Sequence, residues 1–184
     1  MINLITQTRY GVSETNSSSS HSMCINTNVR NDVPDIDRER VINLLNGAGI
    51  WRINGDNNYF ERGPVQLIEE FSDKVQYALA WFDSGNVTKD WREQKIKEIT
   101  DVIKKYVPEF NGFEFVGIYE KGFGYARNSE FGKWLTENNI SIEDFLTKRR
   151  YFVIVDGDEH NIFTGMADLG MIDSAVRITT SWDG

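Results

Sequence analysis

The chain has 184 residues and a formal net charge of −8, from 28 acidic against 20 basic side chains. This length supplies one substantial hydrophobic core, and a content of 40% hydrophobic with 26% charged residues excludes a disordered chain. The acidic excess argues against direct binding to nucleic acid, because a negative field repels phosphate.

The N-terminal third predicts two strands, a helix and a hairpin. Residues 3–10 and 21–27 are rich in β-branched side chains and flank a polar run. An aspartate at the end of 35–37 can cap a helix over 38–45, which Gly47 and Gly49 end. The Asn54-Gly55 pair lies between the apolar runs 50–53 and 58–60, a pattern that favours a hairpin since both turn residues tolerate positive φ.

Two longer helices are predicted in the middle of the chain. After Gly63-Pro64, apolar residues three or four apart indicate a helix of about five turns: Ile68, Phe71, Val75, Ala78, Leu79 and Phe82. Thr88 can cap a second helix that runs to about Tyr106, and the charged residues on its outer face are expected to be solvated. We expect the two helices to pack together as a hairpin.

The C-terminal third predicts strands that alternate with shorter helices. A strand is expected at 113–119, a helix from Asn128 through Leu135, and another helix after the capping-box serine Ser141. The run Tyr151-Phe152-Val153-Ile154-Val155 predicts a strand in the centre of a sheet, followed by a turn, a helix and a last strand at 175–179. Together these elements predict a single α+β domain over 1–184, with a mixed or antiparallel sheet packed against a pair of longer helices.

The cysteine content and the hydropathy predict a cytoplasmic protein. Cys24 is the single cysteine, which excludes an internal disulfide and favours a reducing compartment. No run of eighteen apolar residues occurs, and residues 1–10 do not have the pattern of an export signal. One cysteine and two histidines are too few for a structural zinc site.

A polar run between the first two predicted strands is the first candidate site. It reads Glu14-Thr15-Asn16-Ser17-Ser18-Ser19-Ser20-His21-Ser22. Its hydroxyls and amides can bind an anion or a nucleotide, so the predicted ligand-binding residues are Asn16, Ser17, Ser18, Ser19, Ser20 and His21. Serine-rich runs are also typical of plain surface loops. His21 could activate a neighbouring serine only if a third group oriented it, so no catalytic residue is predicted.

An acidic turn after the predicted central strand is the second candidate site. Asp156, Asp158 and Glu159 are hard oxygen ligands that could hold Mg²⁺ beyond the carboxyl end of that strand. The structural interpretation is equally concrete: Gly157 makes a turn, Asp158 caps the next helix and Glu159 favours its positive end.

Three segments resemble a group of bacteriophage-encoded proteins of no established activity. They are the serine run over 14–22, the helical segment over 71–80 that reads FSDKVQYALA, and the VDGDE segment over 155–159. The resemblance implies expression in the cytoplasm of an infected bacterium and a role in host takeover or in blocking host defence. It implies no catalytic residue.

Three functions are compatible with these features. The leading hypothesis is a non-enzymatic phage accessory protein that blocks or redirects a host factor, through its acidic surface or by sequestering a nucleotide. The first alternative is a metal-dependent enzyme on phosphoesters or nucleotides, which requires the serine run and the acidic turn to converge. The second alternative is a structural component of the virion. The expected partner is a host protein or a small nucleotide, with no membrane and no direct nucleic-acid contact.

Overall fold

The computed structural model describes residues 4–8, 20–26, 33–54, 66–82, 88–116 and 129–156. Its strands are β1 (Leu4–Thr8), β2 (Ser20–Asn26), β3 (Ile50–Asn54), β4 (Gln66–Ile68), β5 (Gly112–Val116) and β6 (Tyr151–Asp156). Its helices are α1 (Arg38–Leu44), α2 (Phe71–Phe82), α3 (Lys89–Tyr106), α4 (Ser129–Glu137) and α5 (Ile142–Thr147). The fold is α+β, as the sequence predicts.

Four strands form an antiparallel sheet in the order β1-β2-β6-β4. The central position of β6 confirms the prediction for residues 151–155. Met23, Val153 and Val155 belong to the main core, whereas Cys24, Phe152 and Ile154 occupy the alternate positions and are buried as well. Because both faces of this strand pair are buried, β6 is an unbroken apolar run rather than an alternating one.

A second sheet consists of β3 and β5, paired in parallel. The sequence predicts both strands but not their pairing, because the pattern around Asn54-Gly55 points to a local hairpin. The expected second arm of that hairpin, 58–60, lies outside the described residues. A parallel pair needs a long crossover, and here α2 and α3 lie in the stretch of chain between the two strands.

The first long helix begins later than the sequence predicts. Ile68 lies in β4, opposite Val153, and α2 starts at Phe71, after the Glu70 carbonyl accepts hydrogen bonds from the amides of Asp73 (3.1 Å) and Lys74 (2.9 Å). The prediction of a helix through Ile68 was wrong because a buried strand residue fell by chance on the helical spacing. The two long helices α2 and α3 contact each other, which agrees with the predicted pairing of the long helices.

Predicted capping residues begin three helices. The Asp37 carboxylate accepts from the Arg40 amide (2.9 Å), and the Ser141 hydroxyl accepts from the Asp144 amide (3.0 Å). The Thr88 hydroxyl accepts from the Trp91 amide at 3.4 Å. Each oxygen partners an amide that the first turn of a helix leaves unbonded, which explains where these helices start.

One hydrophobic cluster contains residues of both sheets and all five helices. Phe131 of α4 lies at its centre, with its ring in edge contact with Tyr77 (5.7 Å) and Phe145 (4.9 Å). Trp51 and Trp134 are each 2% exposed and belong to the same cluster. No helix among the described residues is long and apolar enough to cross a membrane.

The loop between α1 and β3 is held against the segment that precedes β5. The Asn111 amide donates to the Gly49 carbonyl (2.7 Å), and the Asn111 side chain donates to the Ala48 carbonyl (2.7 Å). Gly49 has φ +75°, and a Cβ built on it would lie 2.2 Å from the Glu109 carbonyl oxygen. This position therefore requires glycine for both backbone conformation and space.

We expect Gly49→Ala to lower the free energy of unfolding by about 2–4 kcal/mol, through a left-handed conformation and a clash with backbone. Gly47→Ala in the same loop is the matched control, since nothing lies within 4 Å of its added Cβ; its effect should stay within about 0.5 kcal/mol. Urea denaturation of both variants measures the difference. Equal effects would contradict the close approach of Gly49 to residues 109–111.

Candidate functional site

Polar residues of four strands meet at one end of the antiparallel sheet. Ser20 at the start of β2 pairs with Asp156 at the end of β6, and His21 pairs with Val155. Gln66, the first residue of β4, pairs with Val155 from the other side. Thr8, the last residue of β1, lies at the same end, opposite Ser22. We call Thr8, Ser20, His21, Gln66 and Asp156 the polar sheet end.

This register brings together one part of each predicted site. Directly opposed residues of an antiparallel pair have Cα atoms about 4.5–5.5 Å apart, so Ser20 and Asp156 are immediate neighbours along the backbone. Ser20 and His21 belong to strand β2 and form the end of the serine run. The other predicted site residues lie outside the described residues: Asn16, Ser17, Ser18, Ser19, Asp158 and Glu159.

Two residues of the polar sheet end were not predicted as site residues. Gln66 lies in β4, a three-residue strand that the sequence pattern assigned to no element of its own. Thr8 was predicted only as part of a strand. The signal that could have found both is the strand order, because the end of β1 and the starts of β2 and β4 lie level with the end of β6.

The residue types at this end suit an anionic ligand bound through a cation. Hydroxyl and amide groups donate hydrogen bonds to phosphate oxygens, and a carboxylate is a preferred ligand of Mg²⁺. Asp156 is the member of the predicted acidic trio that the structure describes. Within the described ranges, no group of three or more His, Cys, Asp or Glu residues is arranged to hold a metal ion.

A second unusual feature lies at the opposite end of β6. Lys74 of α2 is 1% exposed and is the one charged residue among the buried residues of the described structure. Its Nζ donates to the Lys148 carbonyl (2.8 Å) and lies 5.7 Å from the centre of the Phe145 ring. The side chain therefore joins α2 to the turn between α5 and β6.

Other parts of the chain also bind this turn, which spans residues 148–150. The Arg149 guanidinium forms an ion pair with Asp35 and lies 3.9 Å from a Glu70 carboxylate oxygen. The Asn26 amide, at the end of β2, donates to the Arg150 carbonyl (2.7 Å). We call Lys74 and its contacts with this turn the lysine junction.

Burial lowers the pKa of Lys74 to about 7, although the carboxylates of Glu69 and Glu70 partly oppose this shift. An amine with such a pKa is substantially uncharged near neutral pH. Strongly shifted groups concentrate at functional sites, and they also occur in structural ion networks. The sequence contains a signal for this burial, since Lys74 is three residues after Phe71 and four before Ala78, on the apolar stripe of the helix.

The chain was compared with protein-family models, with curated proteins and with solved structures, and none of the three comparisons finds a match. The functional proposal therefore depends on the polar sheet end and the lysine junction themselves.

We expect the folded protein to gain about 1.5 kcal/mol of stability between pH 7 and 8.5 from Lys74. The folded pKa lies below the unfolded value of 10.5, so the unfolded chain binds more protons in this range and stability rises with pH. Above pH 9 the raised pKa of buried Cys24 has the opposite effect, which sets the upper limit of the window.

Lys74→Met is the variant that isolates this effect. It leaves the Lys148 carbonyl with the Tyr151 amide as a donor (3.2 Å), so no buried acceptor is orphaned. We expect the variant to be at least as stable as the wild type at pH 7 and to lack the gain up to pH 8.5. Urea denaturation across this range measures both. A stability difference that does not change with pH would show that Lys74 stays charged in the fold.

Proposed function

We propose that the protein is a phage accessory protein that sequesters a small nucleotide at the polar sheet end, and so blocks or redirects a host factor that depends on the nucleotide. The observation that carries this proposal is the pairing of Ser20 with Asp156. It places the end of the serine run beside the start of the acidic turn, two segments that the sequence separates by more than half of the chain.

The chemistry of the two segments is complementary around a metal-bound phosphate. The serine run supplies neutral hydroxyl donors, which contact phosphate oxygens without a charge of their own. Carboxylates beside a phosphate would repel it, but a Mg²⁺ ion shared between them converts the repulsion into attraction. The proposed ligand is therefore a nucleotide with its Mg²⁺, with Ser20 toward the phosphate and Asp156 toward the ion.

Within the described ranges, the charge distribution gives little support to binding through an acidic surface. The described ranges contain 17 of the 28 acidic and 14 of the 20 basic residues, so their charge is nearly balanced. Acidic residues in these ranges form cross-element or helical ion pairs: Arg38–Glu109, Arg40–Asp73, Lys97–Asp101 and Lys105–Glu143. Such neutralised pairs offer little field to a basic partner.

We expect the purified protein to bind at least one nucleoside phosphate in the presence of Mg²⁺. Ser20→Ala and Asp156→Asn should each weaken this binding by about tenfold or more, the usual effect of losing a hydrogen bond to a charged group. Asp101→Asn is the matched control, because this exposed α3 carboxylate pairs only with Lys97 (2.6 Å) among the described residues. Calorimetric titration with mono-, di- and triphosphates and cyclic nucleotides, with Mg²⁺ or with EDTA, measures the affinities. Binding of none of them, or equal losses in all three variants, would refute the proposal.

The same pairing favours one alternative, a metal-dependent enzyme on phosphoesters or nucleotides. That activity needs the serine run and the acidic turn to converge, and Ser20 beside Asp156 meets this requirement at the backbone level. Chromatography of the nucleotide after incubation separates the two functions. Recovery of intact ligand supports sequestration, whereas turnover that Asp156→Asn abolishes and Asp101→Asn preserves supports the enzyme.

A further inference from the structure

Lys74 has a hydrogen-bond partner in the turn after α5 and an acidic neighbour just before the start of α2. The inner partner is the Lys148 carbonyl, which accepts its hydrogen bond in the described structure. The outer partner is the carboxylate of Glu70, four residues earlier in the chain, at the residue whose carbonyl accepts the first hydrogen bonds of α2. The Glu70 carboxylate attracts the charged form of the Lys74 amine.

We propose that Lys74 is a proton-operated switch between α2 and the turn that begins β6. When the amine is uncharged, it stays inside and donates to Lys148. When it is protonated, it turns outward to pair with Glu70, and the turn over 148–150 is released from α2. This inference does not depend on the proposed nucleotide binding.

The inner position suits an uncharged amine better than an ammonium. An ammonium has three donors, and among the described residues only the Lys148 carbonyl accepts from Lys74. The Phe145 face adds a weak attraction for the charge, too small to offset the loss of its hydration. The pKa of about 7 expresses the same imbalance, so the charged form gains most from the outward position.

The outer position is compatible with the surrounding charges. Glu70 is the more distant partner of Arg149, at 3.9 Å, and Asp35 is its closer partner, so Glu70 is the carboxylate more free to turn to Lys74. Most of the other charged groups around the junction form pairs of their own: Arg40 with Asp73 on α1 and α2, Asp144 with Lys148, and Glu143 with Lys105 and Tyr106.

Glu69 lies beside Glu70 and also attracts the charged amine, whereas Arg149 opposes it. Arg150, the last residue of the turn, lies over the Tyr151 ring at 5.2 Å. Carboxylic acids, guanidinium groups and ordinary lysines keep their charge between pH 6 and 8.5. Among the charged groups named at this junction, the amine of Lys74 is therefore the one that changes charge in that range.

Two backbone amides report whether the turn has been released. The Asp35 amide donates to the Thr147 carbonyl and the Asn26 amide to the Arg150 carbonyl, each at 2.7 Å. Both hydrogen bonds join the end of α5 or the turn to other elements, so opening of the junction exposes them to exchange. The Asn111 amide, which donates to the Gly49 carbonyl on the other sheet, is the internal reference.

The test is an NMR titration of lysine-labelled protein together with amide hydrogen exchange at pH 6 and 8.5. We expect one lysine signal, absent from Lys74→Met, to titrate about three pH units below an ordinary lysine, in line with the pKa of about 7 for Lys74. We expect about thirtyfold less protection of the Asp35 and Asn26 amides at pH 6 than at pH 8.5, after correction for intrinsic exchange, because a pKa of about 7 makes the protonated fraction of Lys74 about thirtyfold larger at pH 6. Protection of the Asn111 amide should not change.

Two further variants identify the outer partner. Glu70→Gln should lower the midpoint of Lys74 and restore protection at pH 6, since the charged amine loses its outward partner. Glu93→Gln removes the exposed Lys89–Glu93 pair on α3 and should leave both readouts as in the wild type. A Lys74 that titrates with the other lysines, or protection that falls equally at Asn111, would overturn the switch. If Lys74→Met does not fold, the wild-type titration and Glu70→Gln still decide the question.

Discussion

The antiparallel pairing of β2 with β6 determines where nearly every other feature of the described structure lies. It joins residues 20–26 to residues 151–156 and so closes the longest sequence separation in the fold. Both faces of this pair are buried, with Met23 and Val153 in the main core and Cys24 and Ile154 on the other side. A slip of one residue between β2 and β6 would exchange the two faces of the slipped strand. The register is therefore fixed by two features together: the apolar residues buried on both faces, and the polar residues at one end. The juxtaposition of Ser20 and Asp156 follows from that register.

The two ends of β6 have different electrostatic character for a physical reason. At its start, α2, α5 and the end of β2 converge on the turn over 148–150, and this convergence excludes water from Lys74. At its end, Ser20 of β2 lies opposite Asp156, and the polar end residues of β4 and β1 lie within two residues of that level. Five residue steps along a strand span about 17 Å, roughly two Debye lengths at physiological ionic strength. A change of charge at the lysine junction therefore has little direct effect at the polar sheet end, and the two proposals can fail independently.

Local patterns in the sequence predicted the elements far better than their partners. Capping by Asp37, Thr88 and Ser141 placed three helix starts, because each cap depends on residues within one helical turn. The parallel pairing of β3 with β5 depends on contacts more than fifty residues apart, and nothing near Asn54 encodes it. Ile68 shows the same limit in another form, since its burial in β4 comes from Val153 and not from the helix whose spacing it shares. The serine run and the acidic turn were recognisable from composition, but their adjacency is a property of the register alone.

Lys74 shows why a buried charged residue is difficult to predict from the hydrophobic periodicity of a helix. The apolar stripe of α2 tolerates one lysine because its methylene chain packs like an apolar side chain, so the pattern looks intact. The cost appears only when three elements close around the amine and leave it one carbonyl acceptor among the described residues. A methionine would fill a similar volume without that cost, which makes the lysine difficult to explain by packing alone. Its position beside the turn that starts the central strand, with a carboxylate four residues away, gives the charge a physical role: it makes the contact between α2 and β6 depend on a proton.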